Sequence, residues 1–173
     1  MLMGMVWVLA WALVACESGG GGEALVEADY SNCRYEKPEA IFYDGLPQIS
    51  DHRFERRGRG SEEKFTLSGG IAVTILQYGC DDRTQEFIFE LNQRNLCEST
   101  EDCTRHIAQL LHALSRLGPE FHVFRAWSQA IREVAPSLSF GESAELAEGF
   151  WVKVDQKSGF GNTTLMLTLS EKP

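Results

Sequence analysis

The sequence lacks the short motifs that mark familiar reactive sites. It contains no Gly-x-Ser-x-Gly nucleophile elbow, no Walker loop for phosphate and no His-Glu-x-x-His pair. It also lacks a Cys-x-x-Cys pair and the oxygen-ligand spacing of an EF-hand loop. The sequence therefore predicts no catalytic residue, no metal ligand and no cofactor, and it favours a binding protein over an enzyme.

Basic residues are scarce. The chain has 16 Lys and Arg against 25 Asp and Glu, which gives a formal net charge of −9. Because nucleic-acid binding depends on clustered Lys and Arg, this charge argues against a nucleic-acid partner. No internal repeat is evident, and the length from residue 29 onward suits one domain, which we place at residues 29–173.

Charge is missing altogether from residues 1–15, which form an apolar run. The run is too short to span a bilayer, which requires about 20 apolar residues. It ends in Leu13-Val14-Ala15-Cys16, and four consecutive glycines follow at positions 19–22. Because consecutive glycines are costly to order, they would separate this run from any folded core. The pattern therefore indicates a cleavable leader rather than a buried helix.

Residues 1–22 resemble the signal peptide and lipobox of a bacterial lipoprotein. The resemblance implies that residues 1–15 form the signal peptide and that Cys16 becomes the first residue, linked to diacylglycerol and acylated, with palmitate as a typical chain. Several acyl chains give stable anchoring, so membrane lipid is the first partner implied. The resemblance also implies a location in the bacterial cell envelope. In this family an Asp directly after the lipobox cysteine would signal the inner membrane, and Glu17 at that position weakly favours the outer membrane facing the periplasm. Residues 16–28 would be a Gly-rich tether with a reach of about 20 Å.

Four further cysteines follow, at positions 33, 80, 97 and 103. An even number of cysteines in an exported protein predicts disulfides, with three connectivities open. Cys97 and Cys103 enclose a short polar loop and are the favoured pair, which leaves Cys33 with Cys80. Loop-entropy arithmetic gives about 4 kcal/mol for the long bridge and about 2.4 kcal/mol for the short one. The alternative is a metal site, in which His106, three residues after Cys103, would be a ligand.

Alternating and β-rich runs predict the strands. Residues 33–43 are predicted to form extended pieces, broken by Pro38. Residues 63–67 and 71–78 flank a Gly-Gly turn and predict a hairpin, and residues 84–91 alternate apolar with polar side chains and predict a third strand. Residues 150–154 and 163–169 flank another turn and predict a C-terminal hairpin. Whether the two blocks form one sheet stays open.

Helical spacing replaces this alternation between the two blocks. Residues 102–117 and 119–135 carry apolar side chains on one stripe, with Thr100 as the predicted N-cap and Gly118 between the helices. Glu142, Glu145 and Glu148 are predicted to mark a solvated helical face. The predicted fold class is α+β: an antiparallel sheet from an N-terminal meander and a C-terminal hairpin, with an inserted pair of helices.

An arginine-rich stretch at residues 52–60 is the strongest local charge feature, and we expect it to be a glycine-containing loop. It carries Arg53, Arg56, Arg57 and Arg59. Arginine side chains can bind phosphates or carboxylates bidentately, so a lipid phosphate or an acidic envelope protein is a candidate partner. The alternative, which we favour modestly, is a solvated loop whose charges are offset by Glu62 and Glu63.

Two other hypotheses compete with simple binding. An envelope hydrolase could be assembled from dispersed carboxylates with His106, His112 or His122. A carrier of a small apolar ligand would need a pocket beneath an aromatic set, although core packing is the commoner use of such residues. The set comprises Phe121, Phe124, Trp127, Phe150, Trp151 and Phe160.

The first hypothesis combines the leader, the tether, the predicted disulfides and the lack of a reactive motif. It is a membrane-anchored envelope lipoprotein with a non-enzymatic domain that binds a protein or another envelope component. A role as an inhibitor or immunity protein is one version of it.

Overall fold

A computed structural model describes residues 28–94, 96–159 and 161–173. The predicted signal peptide, Cys16 and all of the predicted tether except residue 28 lie outside these ranges, as does Phe160. The described chain has an α+β fold, with one antiparallel sheet and two principal helices. The elements in chain order are β1 (Ile49–Arg57), β2 (Gly60–Leu67), β3 (Ile71–Tyr78), β4 (Thr84–Leu91), α1 (Thr100–Leu114), α2 (Val123–Val134), β5 (Ser143–Ala147), β6 (Phe150–Ser158) and β7 (Thr163–Ser170).

The seven strands form one sheet in the order β1-β2-β3-β4-β7-β6-β5. The predicted N-terminal meander and C-terminal hairpin are confirmed, and each gains an edge strand, β1 and β5 respectively. Strand β7 pairs with β4 over the full length of both, so the two blocks join in the middle of the sheet. The helical insertion therefore lies between two halves of a single sheet.

One face of the sheet carries most of the apolar side chains. Because successive strand residues alternate between faces, the paired strands line up their buried positions in rows across the sheet. One such row runs through Phe65, Val73, Phe89 and Leu165, which are all buried. We call this the inner face, and both covering layers described below lie on it.

Helix α1 begins one residue away from its predicted cap. The N-cap is Ser99, whose hydroxyl accepts a hydrogen bond from the Asp102 amide at 3.1 Å, and Thr100 is the first helical residue. Ile107, Leu111 and Leu114 are fully buried on its core side, as the helical spacing predicts. The helix ends at Leu114 and not at residue 117.

The second predicted helix is interrupted near its start. Pro119–Phe121 forms a short 3-10 turn, and α2 follows from Val123 to Val134. Ser128 on α2 is buried and its hydroxyl donates a hydrogen bond to the Ala108 carbonyl on α1 at 2.6 Å. This contact and the apolar stripes hold the two helices together as one layer.

Residues 28–48 form the second covering layer, which we call the strap. The sequence predicts extended pieces here, but the strap follows turns and bends. It buries Phe42 and Leu46 against the inner face, and the Phe42 ring lies 4.8 Å from Phe65 on β2. The difference arises because the strap crosses over the sheet and bonds to its side chains instead of joining it as a strand.

The predicted helical face at residues 142–148 is wrong. Glu145 lies in the short edge strand β5, and Glu142 and Glu148 flank that strand. Gly141 and Gly149 bracket the segment with φ of 75° and 69°, a left-handed conformation that glycine adopts without strain. These two turns interrupt any helix, so the three-residue spacing of the glutamates does not reflect helical structure.

Both disulfides are present as paired in the sequence prediction. Cys33–Cys80 joins the strap to the end of β3 with a Cα–Cα distance of 4.6 Å, and Cys97–Cys103 closes the loop before α1 at 5.1 Å. Both distances fall in the range that a disulfide can bridge. Within the part of the chain that the structure describes, no helix is both long and apolar enough to cross a membrane.

Candidate functional site

The arginine-rich stretch is a strand and a turn, and the predicted loop is wrong. Residues 52–57 belong to β1, which pairs with β2 at one edge of the sheet, and Gly58 and Arg59 form the connecting turn. Gly58 has a φ of 58°, which suits the tight turn. The alternation of His52 and Phe54 with exposed residues is the signal that could have identified the strand.

Two of the four arginines, Arg56 and Arg57, have separate partners. Arg56 bonds the strap, where its Nε donates to the Pro38 carbonyl at 3.0 Å. Arg57 forms ion pairs with Glu55 at 2.8 Å and with Glu62 at 3.3 Å. Its hydrogen bond holds the pKa of the Glu55 carboxyl below its usual range. Since neighbouring residues of a strand face opposite sides, the Arg56 and Arg57 side chains leave β1 in opposite directions.

The sequence predicts that Glu62 and Glu63 offset the arginine charges, and among the described residues the structure contains such a contact for Glu62 only. Glu62 does contact Arg57, but Glu63 is fully buried and contacts no arginine. Its Oε1 and Oε2 accept hydrogen bonds from the amides of Phe42 and Ile41 at 2.7 and 2.8 Å. Its Oε1 also lies 2.8 Å from Nε2 of His52. Glu63 therefore binds the backbone of the strap to the sheet.

His52 reaches this carboxylate because β1 is irregular just before it. The register shifts between Ser50 and Arg53, and Asp51 there has a left-handed φ of 57°. The second ring nitrogen of His52 lies 3.4 Å from the Asp44 carboxylate on the strap. No sequence pattern predicts this cluster, because it depends on a bulge and on the path of an irregular segment.

The cluster of His52, Glu63 and Asp44 lacks the arrangement of a nucleophilic site. Ser61 is the nearest hydroxyl on the same face of β2, yet its buried Oγ has no hydrogen-bond partner among the described residues. An activated nucleophile must lie within hydrogen-bond reach of its base. His52 has only 8% of its side chain exposed, so we assign the cluster a structural role that holds the strap to the sheet.

The three histidines of the hydrolase hypothesis lie apart. His106 lines a depression beside Leu91 and Leu96, His112 lies in a groove between the helices, and His122 contacts the Pro119 carbonyl at 3.2 Å. Among the described residues no group of three or more His, Cys, Asp or Glu side chains is arranged to hold a metal ion. In the part of the chain that the structure describes, none of the three histidines forms a hydrogen bond or an ion pair with a carboxylate.

The aromatic set contributes mainly to the core. Phe121 and Phe124 are buried and pack on Phe42, with ring centroids 4.8 and 5.7 Å apart. Trp127 meets Phe87 edge-on at 6.1 Å. These rings fill the space between the helices, the strap and the sheet, where an apolar ligand would have to lie.

A polar cleft of about 270 Å³ opens where the strap meets the ends of β3 and β4. Gln77 and Gln85 lie next to each other across β3 and β4 and face the strap. The Gln85 side-chain amide donates to Gln77 Oε1, and the Gln77 amide donates to the Glu39 carbonyl at 2.8 Å. The strap residues 35–39 form one wall, and Tyr78 and Arg83 complete the lining.

Several contacts hold the wall of this cleft against the sheet. The Cys33–Cys80 disulfide ties it down, and the Tyr35 amide donates to the Cys80 carbonyl at 3.0 Å. The Arg83 guanidinium lies over the Tyr35 ring at 4.3 Å, a cation–π contact. The Tyr35 hydroxyl donates to Glu171, which raises the pKa of Tyr35 and lowers that of Glu171.

The cleft lies at the end of the sheet where the described chain begins. The Tyr30 hydroxyl donates to the Gly58 carbonyl in the β1–β2 turn at 3.4 Å, and Gly60 just beyond that turn pairs with Tyr78. The sequence prediction missed this cleft. The predicted Cys33–Cys80 pair was the available signal, since it places Tyr35 next to Tyr78.

No family model, no curated protein and no solved structure shows significant similarity to this chain.

Proposed function

We propose that this chain is a membrane-anchored bacterial envelope lipoprotein whose folded domain binds another envelope component without catalysing a reaction. The anchor would be acylated Cys16 after removal of residues 1–15, and residues 16–28 would be the tether. The location we propose is the periplasmic side of the outer membrane. The domain would occupy residues 29–173.

The polar cleft beside the Cys33–Cys80 disulfide is the observation that carries the binding proposal. Its lining brings the side-chain amides of Gln77 and Gln85 together with the guanidinium of Arg83. A concave surface that places several polar groups together can orient a ligand through hydrogen bonds. A tether with a reach of about 20 Å would hold this cleft close to the bilayer surface.

The lining groups favour binding over chemistry. Arg83 is stacked on Tyr35, and the amides of Gln77 and Gln85 are hydrogen-bonded in a chain. The cleft lining has neither a Ser, Thr or Cys nucleophile nor a histidine base. Ligand groups would therefore meet fixed hydrogen-bonding partners.

Membrane fractionation tests the anchor. With Cys16→Ala we expect loss of lipid labelling and of stable retention through the acyl chains, because the lipobox cysteine carries them. The matched control is Cys33→Ala, which removes a different cysteine and should leave lipid labelling intact. Metabolic labelling with a palmitate analogue that persists in Cys16→Ala would reject the lipoprotein proposal.

Binding is best tested with the mature polypeptide without its lipid, residues 17–173, which retains every contact described above. We would titrate it with solubilised envelope extract and follow the backbone amides by NMR. We expect shifts concentrated at Gly79 and Gln85, and their loss in Gln77→Ala, because the Gln77 side chain faces the strap across the cleft. The matched control is Gln93→Ala, because Gln93 is an exposed glutamine outside the cleft lining. Shifts that Gln77→Ala leaves unchanged would reject the cleft as the binding site.

A further inference from the structure

A second concave surface lies in the helical layer, separate from the polar cleft. It is a groove of about 400 Å³ that is lined by His112 of α1 and by Arg125, Ser128, Gln129 and Arg132 of α2. Neither the leader, the tether nor the cleft accounts for it. Its residues come from one helix pair, so their relative positions are set by the packing of that pair.

The spacing on α2 brings the two arginines to one face. Arg125 and Arg132 are seven residues apart, which is two turns or about 10 Å along the helix axis. Gln129 lies between them on the same face. The buried hydrogen bond from Ser128 to the Ala108 carbonyl fixes α2 against α1, so His112 faces the groove from the opposite side.

The groove is basic in an acidic protein. Its lining contains no carboxylate. Within the described ranges, Arg125, Arg132 and His112 make no ion pair, whereas Arg57 and Arg105 each contact two carboxylates. The nearest acidic residue in sequence, Glu133, accepts a hydrogen bond from the Gln129 amide at 3.2 Å. Among the described residues the two arginines of this groove make no ion pair, although Glu133 lies close by on α2 in a chain with a net charge of −9.

We propose that this groove binds an oxyanion of the phosphate or sulfate type. Two guanidinium groups and a side-chain amide supply several N–H donors, and arginine matches such oxygens in pairs. His112 can add a further donor on the α1 side. This site goes beyond the proposed cleft function, because it uses other residues, another layer of the fold and another ligand chemistry.

Sulfate titration tests the proposal with residues 17–173 at constant ionic strength maintained with sodium chloride. We expect saturable amide shifts along residues 125–132 and near His112. In the double variant Arg125→Gln and Arg132→Gln, affinity should fall at least tenfold. The matched control is Arg94→Gln, which removes one exposed arginine outside the groove and should change affinity less than twofold.

The source of the oxyanion is resolved by a second arm with vesicles of phosphatidylglycerol, compared with vesicles of phosphatidylcholine. Saturable sulfate binding without selective vesicle binding supports the site and assigns it to a soluble oxyanion. Vesicle binding that requires phosphatidylglycerol and is lost in the double variant supports the site and assigns it to a lipid headgroup. Amide shifts that rise linearly with sulfate without saturating, together with no preference for phosphatidylglycerol vesicles, would overturn the proposal. An equal loss of sulfate affinity in Arg94→Gln would also overturn it. The test of the polar cleft monitors different residues, so the cleft proposal and the groove proposal can each fail without the other.

Discussion

The two layers that cover the inner face of the sheet are held by different forces. Helices α1 and α2 satisfy their own backbone hydrogen bonds and lay an apolar stripe on the sheet, with Ile107 and Ile131 fully buried. The described part of the strap has no helix or strand bonding, and its internal backbone bond from the Cys33 amide to the Tyr30 carbonyl belongs to a turn. Its Ile41 and Phe42 amides bond to the buried carboxylate of Glu63, and a disulfide ties its first part to β3.

The difference shows what an irregular covering segment requires. A buried backbone amide must find a partner, and a segment without helix or strand must take that partner from elsewhere. Here the Glu63 carboxyl group on β2 provides it, and His52 lies 2.8 Å from the same carboxyl group. We expect the strap to depend on a few polar contacts, whereas the helical layer depends on distributed apolar packing.

Removal of the Glu63 carboxylate should have the largest effect. Glu63→Ala would leave two buried amides and His52 without their acceptor, and the loss of one partner of a buried pair costs about 3–5 kcal/mol. Denaturant unfolding would measure the loss in free energy of unfolding. The control is Glu62→Ala on the neighbouring outer-face position, where we expect a loss below about 1 kcal/mol. Equal losses of unfolding free energy in the two variants would show that the buried Glu63 carboxylate stabilises the fold no more than the Glu62 carboxylate does.

Loss of the strap disulfide should rank next. Replacing both Cys33 and Cys80 by Ala removes a link between residues that are 47 apart in sequence. Loop-closure entropy predicts that this link stabilises the fold by about 4 kcal/mol, and measured stabilisations are often smaller. Removing Cys97 and Cys103 opens a loop with a separation of only 6 and should cost less. Thermal unfolding of the two double variants checks the order. A larger loss for the short link would contradict the strap account.

A conservative truncation in the helical layer should have a smaller effect. Ile131→Val removes one methylene from a fully buried position, which typically costs about 1 kcal/mol. The matched control is the exposed Val123→Ala, for which we expect a change within about 0.5 kcal/mol. Chemical denaturation compares the two, and a loss above about 3 kcal/mol in Ile131→Val would mean that this layer is as dependent on single contacts as the strap.

The smallest expected effect concerns acid stability at the strap. The pKa of Glu171 is lowered, first by the Tyr35 hydroxyl and then by the Arg83 amide and the arginines nearby. A group with a depressed pKa in the folded state adds stability above its unfolded pKa, and that part is lost as pH falls through the folded pKa. Tyr35→Phe should therefore flatten the acid side of a stability profile measured between pH 6 and about pH 3. An unchanged slope would show that this hydrogen bond does not couple to folding.

The same contrast explains how much of the structure could be predicted. The strands around Gly69 and Gly70, the strand at residues 84–91 and the stripe on α1 follow regular periods, and the structure contains them. The disulfide pairing followed from the short loop between Cys97 and Cys103. Such features depend on neighbours within a few residues, which a sequence pattern records directly.

The features that could not be predicted depend on contacts between distant segments. Edge strand β1 was hidden by its arginines, and the bulge at Asp51 limits its alternation to the residues from His52 onward. The burial of Glu63 follows from the path of the strap across β2, and the groove at His112 follows from how α1 docks on α2. Each is a property of the assembled layers.

Native-state hydrogen exchange of the unmodified protein tests the central contrast most directly. The Ile41 and Phe42 amides bond to Glu63, and we predict that they exchange through a local opening of the strap. The free energy of that opening should be lower than the opening free energy measured at the amides of Ile107 and Leu111 in α1. The strap would then open while the helical layer stays folded. The same opening free energy for all four amides, equal to that of global unfolding, would contradict the account.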